Sequence, residues 1–398
     1  MTFLRIAAAG LLAGTVGIAT AQTPAFAQGT VKVGLIMTYS GQFADAARQM
    51  DGGIKLYMKQ HGDKVAGKTI EIIRKDTGGP APDVAKRLAQ ELVVRDKVDI
   101  IAGFVLTPNA MAASDVSQEA KKFLVIMNAA TSVIMTKSQY SARVSLTQSQ
   151  VTETLGHWAA TKDGAKKAYT MVSDYGPGLD AEAGFQKSFK AAGGEIVGSV
   201  RMPVANPDFS AFVQRAKDLN PQSVFTFIPG GAQPAAIAKA FAERGMDPKK
   251  TKIYGTGELT GDDALKNMGD SALGIITAWH YDHNHDSKLN KEFVAGFRKD
   301  NNNINPNFFA VGGYDGMHLI YEALKKTGGK TDGDALIAAA KGMSWESPRG
   351  KMTIDPEIRD VVQTIYLRRV EKVGGELKNV EFDKVENVKD PILAAMKK

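Results

Sequence analysis

Short apolar runs alternate with amphipathic segments along nearly the whole chain, and this alternation limits the fold more than any other feature. Val31 to Met37 reads as a buried strand, followed by a Ser/Gly turn and a helix through Ile54, Leu56, Tyr57 and Met58. Thr69 to Arg74 alternates as a strand, and in Asp83 to Arg95 the apolar Val84, Leu88, Leu92 and Val93 share one helical face. Val98 to Gly103 and Phe123 to Met127 read as short buried strands around a helix over Met111 to Lys122. The pattern then restarts: strands over Ala168 to Val172, Glu195 to Met202, Ser223 to Ile228, Lys252 to Tyr254 and Gly274 to Tyr281, with helices over Leu179 to Ala192, Phe209 to Leu219 and Ala232 to Arg244. Strands separated by helices predict parallel sheets covered on both faces, an α/β class with two doubly wound lobes. Gly193-Gly194, Gly245 and Gly328-Gly329 fall just after helices, where a left-handed cap residue is expected.

The amino terminus sets the compartment. One Arg precedes an apolar stretch from Ile6 to Thr20, and Ala19-Thr20-Ala21 and Ala25-Phe26-Ala27 are small-x-small sites. Together these describe a secretory signal peptide over residues 1–27, cleaved after Ala27. The stretch is too short and too interrupted for a membrane span, and no second apolar run could cross a bilayer. The chain has 50 Lys and Arg against 43 Asp and Glu, a net +7; loss of Arg5 with residues 1–27 leaves +6. Basic and acidic residues are interspersed, which reads as a solvated surface and argues against a nucleic-acid partner. There is no Cys, so an exported chain of this length must draw its stability from its cores, and two domains are the natural expectation.

Ligands of open parallel sheets sit beyond the carboxyl ends of the strands, against helix amino termini. Thr107-Pro108-Asn109 follows one such strand and reads as a helix start, with Thr107 as N-cap and Pro108 as the first helical residue. Its hydroxyl and the Asn109 amide could receive a carboxylate, or Thr107 could cap its own helix and touch nothing else. Asn128-Ala129-Ala130-Thr131-Ser132 follows the next strand; its small residues allow a ligand to approach the backbone, or are a packing turn. In the second run, Tyr175 stands before Gly176-Pro177-Gly178 at a strand end, Pro229-Gly230-Gly231 at the next, and Glu258 at the one after. Glu258 could balance a ligand ammonium or be a solvated turn acid.

These segments, with Gly34 to Gly41, Asp208-Phe209-Ser210 and Tyr314-Asp315-Gly316-Met317, resemble the periplasmic binding proteins of branched-chain amino-acid-type ABC importers. The resemblance runs over the whole mature chain and implies a type I binding-protein fold with three hinge crossings, near 145, 281 and 354. Residues 28–145 plus 282–354 would then form one lobe, and 146–281 plus 355–398 the other. It implies Thr107 as the carboxylate hydroxyl, assisted by Ala129 and Thr131, and Tyr175 as cover from the second lobe. An acid near Glu258 would bind the ammonium of an amino acid. Tyr39, Phe43, Asn109, Pro229, Gly230, Tyr281 and Tyr314 complete the expected ligand set. The Pro229-Gly230-Gly231 loop replaces a stretch that often carries an aromatic residue, leaving room for a larger ligand. The Thr-Pro-Asn and Asn-Ala-Ala-Thr-Ser pairing also resembles an aromatic-carboxylate-binding branch. An aromatic acid is therefore favoured over a branched-chain amino acid, with both open.

The resemblance implies a monomeric transport component that closes on its hinge, delivers its ligand to a membrane permease and uses no cofactor. The other classes are a sensory receptor or a secreted enzyme on the same scaffold. His280, His283 and His285 lack a helix-based His-Glu-x-x-His pattern and read as a polar hinge loop rather than a metal site, with Trp279 and Tyr281 beside the cleft. Gly328-Gly329-Lys330-Thr331 lacks the leading Gly of a phosphate loop, and no Gly-x-Ser-x-Gly elbow or thiol is present. No enzyme is expected.

Overall fold

The computed structural model describes residues 1–2, 29–204, 207–231 and 233–396. The signal-peptide reading lies outside the described residues but for its first two. The first half runs β1 (Gly29–Met37), α1 (Ala44–His61), β2 (Lys64–Val65), β3 (Lys68–Asp76), α2 (Pro82–Val94), β4 (Ile100–Gly103), α3 (Thr107–Ala120), β5 (Phe123–Ile126) and β6 (Ser141–Arg143). The second runs α4 (Gln148–Thr161), β7 (Lys167–Ser173), α5 (Gly176–Ala191), β8 (Glu195–Met202), α6 (Phe209–Asp218), β9 (Ser223–Phe227), α7 (Gln233–Glu243), β10 (Lys252–Thr256), α8 (Asp262–Met268) and β11 (Ile276–Trp279). Then come α9 (Lys288–Asp300), α10 (Phe308–Lys326), α11 (Gly333–Ala340), β12 (Ser344–Ser347), β13 (Gly350–Ile354), β14 (Val361–Val373), β15 (Glu376–Val388) and α12 (Pro391–Met396).

Two sheets result. The first has the order β2-β3-β1-β4-β5-β6, and the second β12-β13-β14-β11-β10-β9-β7-β8, with β15 on β14. Every residue of β4, β5 and β9 is buried, as strands covered on both faces require. Helix α10 packs on α1, and Phe309, Met317, Ile320, Trp345 and Ile354 share the core of Val31, Leu35 and Val125. The late segment 309–354 thus completes the first sheet's core. Glycines at 193, 245, 328 and 329 take positive φ, the left-handed helix ends expected of them.

Both sheets are parallel at their centres, as expected, with antiparallel strands added at β2 and at the carboxyl end. Strands β12, β13, β14 and β15 pair antiparallel, and β14 joins β11 antiparallel, Ala278 opposite Leu367. Most of β15 is exposed, so its sequence carries charge where a buried strand would carry apolar residues.

Two buried arginines stitch the crossings between the halves. The Arg349 guanidinium donates to Asp315 Oδ2 at 2.9 Å, to Gln363 Oε1 at 3.0 Å and to the Ser145 and Val144 carbonyls. Arg143 donates to both oxygens of Asp360. Burial of such pairs is tolerated because further hydrogen bonds complete them.

Candidate functional site: a ring-walled cleft between the two sheets

A cavity of about 460 Å³ opens between the halves, bounded by loops at the carboxyl ends of the strands. Phe43, Val105, Leu106 and Asn128 line it from the first half. Phe308 and Phe309, at the start of α10, add two rings 4.0 Å apart. Tyr175, Pro229, Gly230 and Glu258 face them from the second half, with Trp279 and Tyr281 at the crossing. The Trp279 indole stands at 90° to Phe308, 5.1 Å between centroids, the edge-to-face arrangement aromatic pairs prefer. It lies flat on the backbone of Gly257, where a Cβ would come within 2.1 Å of the ring. A side chain at 257 would push the ring into the cleft.

One end of this wall is polar. Glu258 sits on a one-turn helix, Gly257–Thr260, directly after β10. Its Oε1 accepts from Gln148 Nε2 at 2.9 Å, while Oε2 is buried without a hydrogen-bond partner among the described residues. Burial pushes its carboxyl from 4.5 up to about 7, only partly opposed by hydrogen bonds and by Arg368. That guanidinium is committed elsewhere, 2.9 Å from Asp282 Oδ2 and 3.1 Å from Thr277 Oγ1. Trp279 Nε1 and the Tyr281 hydroxyl are likewise buried and unpartnered among the described residues. Burial raises the Tyr175 hydroxyl well above the usual phenol range, and the charge of Glu258 raises it further.

Thr107 and Thr131 come together, their hydroxyls 3.1 Å apart, but neither is among the residues lining the cavity. Gly176 of the second half rests on them: a Cβ there would approach Thr131 Oγ1 to 2.9 Å. The reading of Thr107 as N-cap is corrected. Leu106, with extended backbone, is the N-cap without a side-chain cap bond; Thr107 is already helical, and its hydroxyl meets Thr131 instead of capping the helix. The amino terminus of α3 therefore keeps its N–H groups free of side-chain caps, beside two hydroxyls. Asn109 is occupied with its own fold: Nδ2 donates to Thr77 Oγ1 and the Gly79 carbonyl, and Oδ1 accepts from Ala81 N–H at 2.9 Å. Ala129 gives its N–H to the Phe104 carbonyl and takes Arg143 Nη1 on its own carbonyl.

Six of the twelve expected ligand residues lie outside the cavity lining: Thr107, Asn109, Ala129 and Thr131, and with them Tyr39 and Tyr314. The Tyr314 hydroxyl donates to Gln60 Oε1 at 2.7 Å, and its ring packs edge-on against Tyr57. The Tyr39 N–H donates to Asp76 Oδ1 at 2.8 Å, and its buried hydroxyl lies beside Asp51 and Arg74. The sequence reading missed Phe308, Phe309 and Arg143. Two adjacent Phe after Asn305-Pro306-Asn307, where a helix starts, were the available signal for the first two. An Arg at 143, just ahead of the crossing expected near 145, was the signal for the third. Of the histidines, His283 lies 3.3 Å from Asp262 and His285 2.8 Å from Glu381. No group of three His, Cys, Asp or Glu among the described residues is placed to hold a metal ion.

Two parallel-dominant α/β sheets facing across such a cleft define a ligand-capturing, hinged class of protein. The chain belongs to the periplasmic binding protein family, whose model matches residues 30–376. It is 44% identical over 367 residues to the Leu/Ile/Val-binding protein homolog 6 of Brucella melitensis, covering 92% of this chain and 94% of that one. An ABC-transporter solute-binding protein from Rhodopseudomonas palustris BisB5, solved with 3,4-dihydroxybenzoic acid, is 54% identical, with a TM-score of 0.87 over 91% of this chain and 99% of that one. Another from Rhodopseudomonas palustris HaA2, solved with p-hydroxybenzoic acid, is 43% identical, with a TM-score of 0.88 over 92% and 100% of the two chains. The family and these neighbours are binding proteins. No described helix is long and apolar enough to cross a membrane.

Proposed function

We propose that this protein captures an aromatic carboxylate in the periplasm and delivers it to an ABC permease, acting as a monomeric binder without a cofactor and not as an enzyme. The observation that carries the reading is the ring wall of Tyr175, Trp279, Phe308 and Phe309 around one cavity, ending in the half-unpartnered Glu258. Flat rings bind flat rings, and a lone carboxylate oxygen at the end of such a slot accepts a ring hydroxyl. The ligand carboxylate is assigned to the Thr107 and Thr131 hydroxyls at the uncapped start of α3, with the Tyr175-Gly176 turn lifting to admit it and closing over it. The hydroxybenzoate complexes of the Rhodopseudomonas proteins support this chemistry. The segment over residues 1–27 would direct export, and residues 28–145 plus 282–354 would move against 146–281 plus 355–398.

A second reading has one observation in its favour: Glu258 Oε2 would also suit the ammonium of a branched-chain amino acid, as the name of the Brucella relative suggests for that protein. Calorimetric titration with 4-hydroxybenzoate, benzoate and leucine separates the two. Micromolar or tighter binding of 4-hydroxybenzoate, with no heat from leucine, is expected. Leucine binding without either benzoate would overturn the aromatic reading.

A further inference from the structure

The Thr131 carbonyl and the Ser132 N–H belong to one peptide group, and that group is held from opposite sides. Its oxygen accepts from Arg143 Nη1 at 2.9 Å, and its N–H donates to Asp180 Oδ2 at 2.9 Å. Because a peptide is planar, two bonds at its ends fix the orientation of the whole unit. Arg143 ends β6, beside the first hinge crossing; the same Nη1 reaches the Ala129 carbonyl at 3.0 Å, and Nε is anchored on Asp360 at 3.0 Å. Asp180 comes from the other half, on α5, whose first residue Gly176 rests on the Thr131 hydroxyl. The loop expected to hold the ligand carboxylate is thus gripped by the hinge on one side and by the opposite half on the other.

We propose that Arg143 and Asp180 are positioning residues for ligand capture: Arg143 presets the Thr131–Ser132 peptide, and Asp180 clasps it when the halves meet. The proposal rests on the reading that the halves open and close around a ligand. It gives the two residues unequal parts. Arg143 acts in both states through the Ala129 and Thr131 carbonyls of its own half, while Asp360 and Asp390, the latter 3.8 Å from Nη2, hold it from the segment after the last crossing. Asp180 acts only after closure, since an open cleft leaves Ser132 N–H to water. Burial raises the Asp180 carboxyl while the Ser132 N–H partly lowers it, as expected of an acid desolvated by the contact it makes. A bond formed only in the closed state slows opening and leaves encounter untouched.

The test uses the mature protein with Asp180→Ala and Asp180→Asn. Asn retains an oxygen that accepts from Ser132 N–H without carrying charge. Surface plasmon resonance with 4-hydroxybenzoate should show dissociation from D180A faster by roughly tenfold, the scale of one lost charge-assisted hydrogen bond, with association within about twofold of the parent. D180N should stay within about threefold of the parent in both rates. Small-angle scattering of the ligand-free proteins should give D180A a larger radius of gyration than the parent at an unchanged thermal midpoint. Superimposable scattering with unchanged dissociation in D180A would overturn the clasp. So would D180N behaving as D180A, which would assign the effect to charge near Arg143 instead. If 4-hydroxybenzoate does not bind the parent, the ligand reading falls, while the scattering comparison still decides the clasp.

Discussion

The two halves that meet at the cleft differ in how their polar groups are spent. On the first half, Asn109 makes three hydrogen bonds to its own scaffold, Thr107 and Thr131 hold each other, and Arg143 fixes two carbonyls of the binding loop. On the wall of Tyr175, Glu258, Trp279 and Tyr281, one carboxylate oxygen, one indole N–H and one phenol have no partner among the described residues. A floor whose groups are already oriented loses little on binding, whereas unmatched groups are satisfied only by the ligand that suits them. The proposed function would thus divide capture and discrimination between the two halves.

The comparison can be broken most forcefully at Arg143. Arg143→Met leaves Asp360 buried without its partner and should cost about 3–5 kcal/mol in urea unfolding. A loss under about 1 kcal/mol would show that the first wall is not held from the hinge. Next comes Glu258, whose carboxyl lies near 7 folded against 4.5 unfolded. A raised acid pKa means the folded chain holds the proton more tightly, so ligand-free stability should fall as pH rises from about 4.5 to 7, by roughly 3 kcal/mol. Glu258→Gln should flatten that slope in unfolding curves taken across the range; an unchanged slope would place its origin elsewhere. Thr107→Ala should weaken 4-hydroxybenzoate by about 1.5–3 kcal/mol in calorimetry if the hydroxyl bonds the carboxylate, and unchanged affinity would remove it from the floor. The smallest effect belongs to Tyr314→Phe, which removes one exposed bond to Gln60. It should cost no more than about 1 kcal/mol of stability and leave ligand affinity alone; a loss of affinity would return Tyr314 to the site.

What could be read from the chain beforehand follows the range of the interactions. The parallel strands were legible because each is a short run of neighbours buried on both faces, Ile100–Gly103 and Ser223–Phe227 being the plainest. Strand β15 was not, because an exposed hairpin partner such as Glu376–Val388 has a polar composition and takes its structure from pairing alone. Loop positions at strand ends led to Tyr175, Pro229, Gly230 and Glu258, since a topological rule stands behind them. Phe308 and Phe309 reach the cleft from the far side of a chain crossing, and the Arg143–Asp360 pair spans 217 positions. No local pattern encodes such meetings. Tyr39 and Tyr314 show the converse: aromatic residues inside recognisable motifs whose rings serve the packing of a single half.

The bed of Gly257 beneath Trp279 has an optical consequence. The chain has three tryptophans. Trp158 donates to Asp383 at 3.0 Å and Trp345 to Asp315 at 3.2 Å, whereas Trp279 alone of the three lines the cavity. A conjugated molecule sliding in beside that indole would quench its emission, while the other two would supply a constant background. The indole buried in the cleft wall would thereby serve as a built-in fluorophore, and replacing Trp158 and Trp345 by Phe would leave a single-channel sensor needing no dye.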